Sequence, residues 1–284
     1  MRIPRFFLYG KDLENFRQCR NNQVGAGMQI IESDLVHRIR SVLRLGKGDA
    51  VTLLDDSGQQ YQCVIVDINK QCVLLTLTQS LLAGAKQQIP VTIAQSVIKG
   101  ERFDWCLEKL TGLGVATIVP LLSERGVVHP GGAAGMHNQE RFTAKLNRWR
   151  ALVREAAEQC ERPTEPTVSA PTSSLAYLAC AQGDDRSYIR CICLERSDAP
   201  SLLSAVESRL NKTTAGGAQI SDENICKAPI LEISIVIGPE GGFTNTEISM
   251  AAKHGWQTVS LGRRILRSET AGMYAMAQIA SLLD

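Results

Sequence analysis

The stretch at positions 235–243, IVIGPEGGF, is an apolar strand running straight into a glycine-rich turn that holds a proline and a glutamate. In open α/β sheets ligands gather at such carboxyl ends of strands, and glycines there let backbone amides come close to a guest. The turn is no phosphate loop, because it lacks the Gly-Lys-Ser/Thr ending and the GxGxxG spacing. Glu240 suits ribose hydroxyls or an ammonium group better than a phosphate. A second stretch, VSLGRRILRSETA at 259–271, repeats the plan: a strand, a glycine turn, then arginines at the start of a small-residue helix. Ser268 or Thr270 can cap that helix, and Glu269 suits its first turn. Capping does not account for Arg263, Arg264 and Arg267 crowded beside a buried strand end, a pattern that suits an anion or a base.

Outward from these stretches, strands alternate with helices. Strands are expected at 91–97, 115–120, 188–194, 231–237 and 258–261, with helices near 102–110 and 139–160. This alternation predicts a parallel sheet covered on both faces. Nearer the N-terminus the pattern changes. Ser33 is placed to cap a helix with Leu35, Ile39, Val42 and Leu43 on one face, stopped by Gly46 and Gly48. Strands follow at 50–55, 60–68 and 72–78, so this is a small β-rich module, joined to the rest by a linker at 81–89. The glycine-rich loop at 129–135 and the polar stretch at 211–229 read as exposed connections.

A chain of 284 residues accommodates two domains, and its 44% hydrophobic and 21% charged residues fit a soluble globular protein. No apolar run approaches the roughly 18–20 residues that span a bilayer, and the opening MRIPRFFLYG turns polar too soon for a signal peptide. A cytosolic location with no membrane partner is expected. Nine cysteines include no CxxC pair, and the four histidines are scattered, so no metal site is expected. Cys191 and Cys193 should share one face of a strand and pack there. A net charge of +2 does not point to nucleic acid by itself. The basic residues nevertheless cluster, as Arg2 and Arg5 and then as Arg38, Arg40, Arg44 and Lys47.

Taken together, IGPEGGF and LGRRILRSETA resemble the ribosomal RNA small subunit methyltransferase E family, and other segments agree in the same order. These are MRIPRFF at the start, HRIRSVLRLGKGD at 37–49, LGVATIVPLLSERGV at 113–127 and REAAEQCERPTEPTV at 154–168. The resemblance implies an N-terminal PUA-like β-barrel for RNA, residues 1–82, and a C-terminal SPOUT α/β domain, residues 90–284, ending in a trefoil knot. It implies methyl transfer from S-adenosyl-L-methionine to N3 of a uridine in 16S ribosomal RNA, by a homodimer that needs no metal. The cofactor would lie against Leu194 and Glu195, the turn of Ile237, Gly238, Pro239, Glu240, Gly241 and Gly242, and the turn of Leu261, Gly262, Ile265 and Leu266. Arg267 matches the family's motif arginine and Glu269 is the candidate base. RNA contacts would come from Arg2, Arg5, His37, Arg38, Arg40 and Arg44. Two departures stand out: Gly112 replaces a usual glutamate, and Glu161 a usual glycine. A non-catalytic RNA-binding or ribosome-assembly factor with the same fold is the alternative.

Overall fold

The computed structural model describes residues 3–18, 25–55, 57–81, 89–126, 135–180, 188–195, 198–214 and 232–283. Arg2, most of the 129–135 loop and nearly all of the 211–229 stretch lie outside them. The chain forms two compact units, Met1–Lys86 with Arg154–Glu165, and Gln87–Val153 with Pro166–Asp284.

The first unit is built on five strands, β1 (Arg5–Phe7), β2 (Gly27–Ile30), β3 (Ala50–Leu54), β4 (Gln60–Ile68) and β5 (Val73–Leu81), in the order β1-β3-β4-β5-β2. β1 runs parallel to β3 and the other pairs are antiparallel. Alternate residues carry the packing: Tyr61, Cys63 and Ile65 of β4 and Val73, Leu75 and Leu77 of β5 are buried. They meet Phe16 of helix α1 (Gly10–Gln18) and Leu35 of helix α2 (Ser33–His37) in one core. Each fully buried side chain of this size contributes about 1.5–3 kcal/mol.

The helix expected from Ser33 differs in two ways. Ser33 is its first residue and Glu32 occupies the cap position without a side-chain cap bond. After His37 the chain continues as a π-helical turn, Arg38–Val42, in which the Leu43 amide donates to the Arg38 carbonyl at 2.9 Å. The wider turn changes the angular spacing, so Leu35 and Ile39 are fully buried while Val42 and Leu43 are 62% and 46% exposed. Arg44, with φ of 55°, takes the left-handed conformation ahead of either glycine.

Arg154–Glu165 packs with this unit through specific polar contacts. Glu158 is buried; it accepts the Phe7 amide at 2.9 Å and pairs with Arg38, whose guanidinium also lies over the Phe6 ring. Burial pushes the Glu158 carboxyl above its usual range, with Arg38 acting in the opposite direction. Arg5 donates to the Glu161 carbonyl at 2.8 Å and pairs with Gln60. Glu161 has φ of 61°, the left-handed region that glycine adopts without strain, which gives the family's usual glycine there a physical reason.

The second unit holds a parallel sheet in the order β12-β10-β11-β6-β7-β8, with β6 (Val91–Ser96), β7 (Thr117–Leu122), β8 (Thr167–Val168), β10 (Tyr188–Cys193), β11 (Glu232–Ile237) and β12 (Gln257–Val259). The short β9 (Thr172–Ser173) pairs with β7. All six residues of β6 and the last five of β11 are buried, as expected of central strands covered on both faces. One face carries Phe103, Cys106, Leu107 and Leu110 of helix α3 (Glu101–Gly112), Trp149 and Val153 of helix α4 (Gly135–Gln159), and Ala275, Met276 and Ile279 of helix α8 (Ser268–Leu283). The other face carries Tyr177 of helix α5 (Ser174–Ala179) and Ala251 of helix α7 (Asn245–Lys253). Helix α6 (Leu202–Thr214) follows β10. Cys191 and Cys193 both lie on β10, and burial raises the Cys191 thiol to about 12, so it packs as a neutral group.

Among the described residues no helix is long and apolar enough to cross a membrane, and no group of three or more His, Cys, Asp or Glu side chains could hold a metal ion.

Candidate functional site

Register decides where the loops meet. Cys193 pairs with Val259, Ile192 with Val236, and Ile237 with Gln95, so β10, β12, β11 and β6 end nearly level. The segments leaving the first three strands therefore gather at one end of the sheet. There they enclose a cleft of about 200 Å³.

The cleft combines apolar walls with open backbone. Leu194 and Glu195 line it after β10, Ile237, Gly238, Pro239 and Gly242 after β11, and Leu261, Gly262 and Leu266 after β12. Phe243, Ile248 and Ala271 extend the apolar wall, and Cys193, Arg264 and Ser268 complete the lining. Gly242 and Gly262 have φ of 68° and 109°, and no atom lies within 4 Å of where a Cβ would stand at either. Glu240, Gly241 and Ile265 fall outside the lining. A Cβ on Gly241 would come within 3.1 Å of Arg125 Cβ. Glu240 lies 3.6 Å from Arg102 in an exposed ion pair, and Ile265 is 55% exposed.

Buried polar groups hold the turns. Glu247, fully buried, accepts the Thr244 amide at 2.7 Å, the Ser174 hydroxyl at 2.5 Å and the Glu124 amide at 3.3 Å, and with Thr244 it forms a capping box on α7. Arg125 donates to the Gly241 carbonyl at 3.3 Å. Ser268 does not use its hydroxyl as a cap: it donates to the Gly238 carbonyl at 2.5 Å and accepts from Gln95 Nε2 at 2.8 Å. These contacts escaped the sequence reading, although Gln95 and Ser96 inside the otherwise apolar strand β6 were a visible signal.

The candidate catalytic pair separates. Arg267 is exposed, next to the lining residues Leu266 and Ser268. Glu269 is only 5% exposed, and its Oε2 is buried with no hydrogen-bond partner. Its backbone carbonyl accepts the Cys106 thiol at 3.8 Å, and that thiol is raised to about 12, by burial first and by the Glu269 charge second. Glu269 thus sits towards α3, outside the cleft lining.

Of the expected RNA contacts, Arg5 and Arg38 are engaged in the pairs within the first unit described above. His37, Arg40 and Arg44 are exposed.

A family model described as an RNA methyltransferase domain matches residues 85–280, and one described as an RNA methyltransferase PUA domain matches residues 31–78. The Ribosomal RNA small subunit methyltransferase E of Synechocystis sp. is 34% identical over 271 residues, 92% of this chain and 77% of the relative. The chain belongs to the ribosomal RNA small subunit methyltransferase E family. The family member of Bacillus subtilis is 28% identical, over 88% of each chain. A crystal structure of the family member from Neisseria gonorrhoeae, bound to S-adenosyl methionine, matches with a TM-score of 0.75 and 27% identity, over 99% of this chain and 98% of that one.

Proposed function

We propose that this chain transfers a methyl group from S-adenosyl-L-methionine to N3 of a uridine in small-subunit, 16S ribosomal RNA. The observation that carries the reading is the cleft at the ends of β10, β11 and β12, walled by apolar side chains and floored by glycine turns with arginines at its rim. Its residues fit the co-substrate. Phe243, Ile248, Leu261 and Ala271 offer an apolar slot for a flat base, Gly242 and Gly262 leave room against the backbone, and the Glu195 carboxylate can meet a hydroxyl or an ammonium.

When bound, S-adenosyl-L-methionine supplies a methyl group on a sulfonium, open to attack by a lone pair. Uracil N3 carries a proton, and its loss spreads negative charge over O2 and O4. Arg267, exposed beside the cleft lining, has the reach and the planar fork of donors to face those oxygens. Glu269, with one buried oxygen unpartnered, is the carboxylate that could take up the proton. Positioning the uridine against the cleft supplies most of the remaining acceleration.

Residues 90–284 form the methyltransferase domain in this reading, a SPOUT domain whose cleft turns belong to a trefoil knot. Residues 1–82 form the RNA-binding domain. The reading places the enzyme in the cytoplasm, with the ribosomal subunit or its RNA as partner. Mass spectrometry of small-subunit RNA from a strain lacking the gene is expected to show one 3-methyluridine lost and restored by the intact gene. Unchanged methylation, together with no transfer by the purified protein, would leave the non-catalytic assembly factor as the better reading.

The RNA contacts are assigned to His37, Arg40 and Arg44, the expected contact residues that are exposed. Reversing Arg40 and Arg44 to glutamate is expected to weaken RNA binding, and to flatten the log–log salt dependence by about one unit per lost phosphate contact. Thermal stability should not change. Arg38→Ala is expected to do the opposite: it strands the buried Glu158 carboxylate at a cost of about 1–3 kcal/mol, read by urea unfolding, with little direct effect on RNA. Equal RNA affinities in the charge-reversed and unaltered proteins across several salt concentrations would remove Arg40 and Arg44 from the interface.

We also assign self-association to the α3 and α8 face. Trp105 on α3 and Tyr274 on α8 are 43% and 45% exposed, two large rings open to a partner on helices that pack together. Sedimentation velocity should find a dimer that Trp105→Glu converts to monomer; a monomeric parent protein would rule this out.

A further inference from the structure

Two consecutive carbonyls at the end of β11 are each held by a hydroxyl from a different part of the second unit. The Ile237 carbonyl accepts the Ser96 hydroxyl at 2.9 Å, and Ser96 in turn lies 2.6 Å from the Ser123 hydroxyl. The Gly238 carbonyl accepts the Ser268 hydroxyl at 2.5 Å. Ser268 follows the second cleft turn, so this one bond joins the turn after β11 to the turn after β12. Gly238 and Ser268 both line the cleft.

The hydrogen-bond inventory gives the arrangement a direction. A serine hydroxyl has one proton. Ser268 Oγ already accepts from Gln95 Nε2 at 2.8 Å, and its proton goes to Gly238. Gln95 is fully buried and cannot swing away to water. Its amide also reaches the Ser268 carbonyl at 3.5 Å, and its Oε1 lies 2.3 Å from where a Cβ on Gly272 would stand. Any side chain at 272 would have to displace this amide oxygen, which glycine leaves in place. Losing the Ser268 hydroxyl therefore strands the Gly238 carbonyl and takes from Gln95 its shortest bond, leaving it only the longer contacts of 3.4 Å and 3.5 Å to the Ser96 and Ser268 carbonyls.

We propose that Gln95 and Ser268 are positioning residues that lock the two cleft turns together and so hold Arg267 and Glu269, either side of Ser268, in a fixed relation to bound S-adenosyl-L-methionine. The proposal deepens the methyltransferase reading and rests on it for the identity of the guest. The lock itself is a property of the free protein. If either bond is lost, both turns loosen, although Gln95 lies outside the cleft lining.

The test uses Ser268→Ala, Ser268→Thr and Gln95→Met in the full-length protein, with the Gln95→Met/Ser268→Ala double variant. The first readout needs no ligand: hydrogen–deuterium exchange at 238–243 and at 261–267. Ser268→Ala and Gln95→Met should each raise exchange in both segments, while Ser268→Thr, which keeps the hydroxyl, should leave both near the parent. The second readout is the S-adenosyl-L-methionine dissociation constant by calorimetry, with the single-turnover rate at saturating co-substrate. Ser268→Ala should weaken binding about 10-fold and slow the saturated rate by a similar factor, Thr should restore both to within about 3-fold, and the double variant should be no worse than the poorer single. Exchange raised in only one segment, or in neither, overturns the lock, as do additive losses in the double variant. A parent protein that shows the exchange pattern but binds no S-adenosyl-L-methionine would keep the lock and overturn the functional reading instead.

Discussion

Ala271→Phe is expected to abolish S-adenosyl-L-methionine binding, at least about 100-fold or roughly 2.7 kcal/mol, in a protein that stays folded. Ala271 lies in the first turn of α8 and its side chain lines the cleft. A phenyl ring added there occupies the slot formed with Phe243, Ile248 and Leu261. Ala271 packs only at the edge of the core, while the fully buried residues that fasten α8 to the sheet, Ala275, Met276 and Ile279, are unchanged, and the lower helix propensity of phenylalanine costs only about 0.5 kcal/mol. The glycine turns offer less clean tests. Gly262→Val would put a β-branched side chain at φ of 109°, a backbone strain in its own right, and Gly241→Val would drive a side chain into Arg125. Calorimetry on Ala271→Phe, with circular dichroism to confirm the fold, decides the matter. Normal affinity would place the guest elsewhere.

The parallel sheet was legible because strands buried on both faces are mostly apolar along their length rather than alternating: β6, β10 and β11 are found within a residue or two of their expected bounds. Strand order was not, since nothing local in Gln257–Val259 says that it pairs with β10 and leaves β11 inside. The cleft followed from two glycine turns at strand ends, and nine of its lining residues were named from the family resemblance. Of the other six, Cys193 ends β10 and Arg264 lies within the second turn, while four come from the far side of a turn: Phe243 and Ile248 after the first, Ser268 and Ala271 after the second. Their roles depend on register between β11 and β6, which a sequence does not display. The same holds for Arg5 and Arg38. Charge and spacing marked them for RNA, but partners more than a hundred residues away, Glu161 and Glu158, engage them in the fold. Helical periodicity likewise placed Val42 and Leu43 beside Ile39, and the π-helical turn moved them outward.

Arg267→Ala is expected to leave S-adenosyl-L-methionine affinity within a few fold while lowering methyl transfer by about 100- to 1000-fold, or roughly 3–4 kcal/mol. The first half follows from placement. Arg267 is exposed and outside the cleft lining, whereas its neighbours Leu266 and Ser268 belong to it, so the guest loses no wall when the arginine is cut back. The second half is electrostatic. Charge reaches uracil O2 and O4 mainly as N3 gives up its proton, so a cation aimed there stabilises the transition state more than the bound uridine. Lysine should restore only part of the rate, because a point charge cannot reproduce two parallel N–H donors. Glu269→Gln is the companion measurement: its carboxylate is buried towards Cys106, and the amide keeps its size while removing a base. If Glu269 only shapes the start of α8, Gln should lower stability more than the single-turnover rate. If it accepts the N3 proton, the rate should fall by orders of magnitude at unchanged co-substrate affinity. Single-turnover rates at saturating S-adenosyl-L-methionine separate the two, and an undiminished rate in Arg267→Ala would take the arginine out of the mechanism.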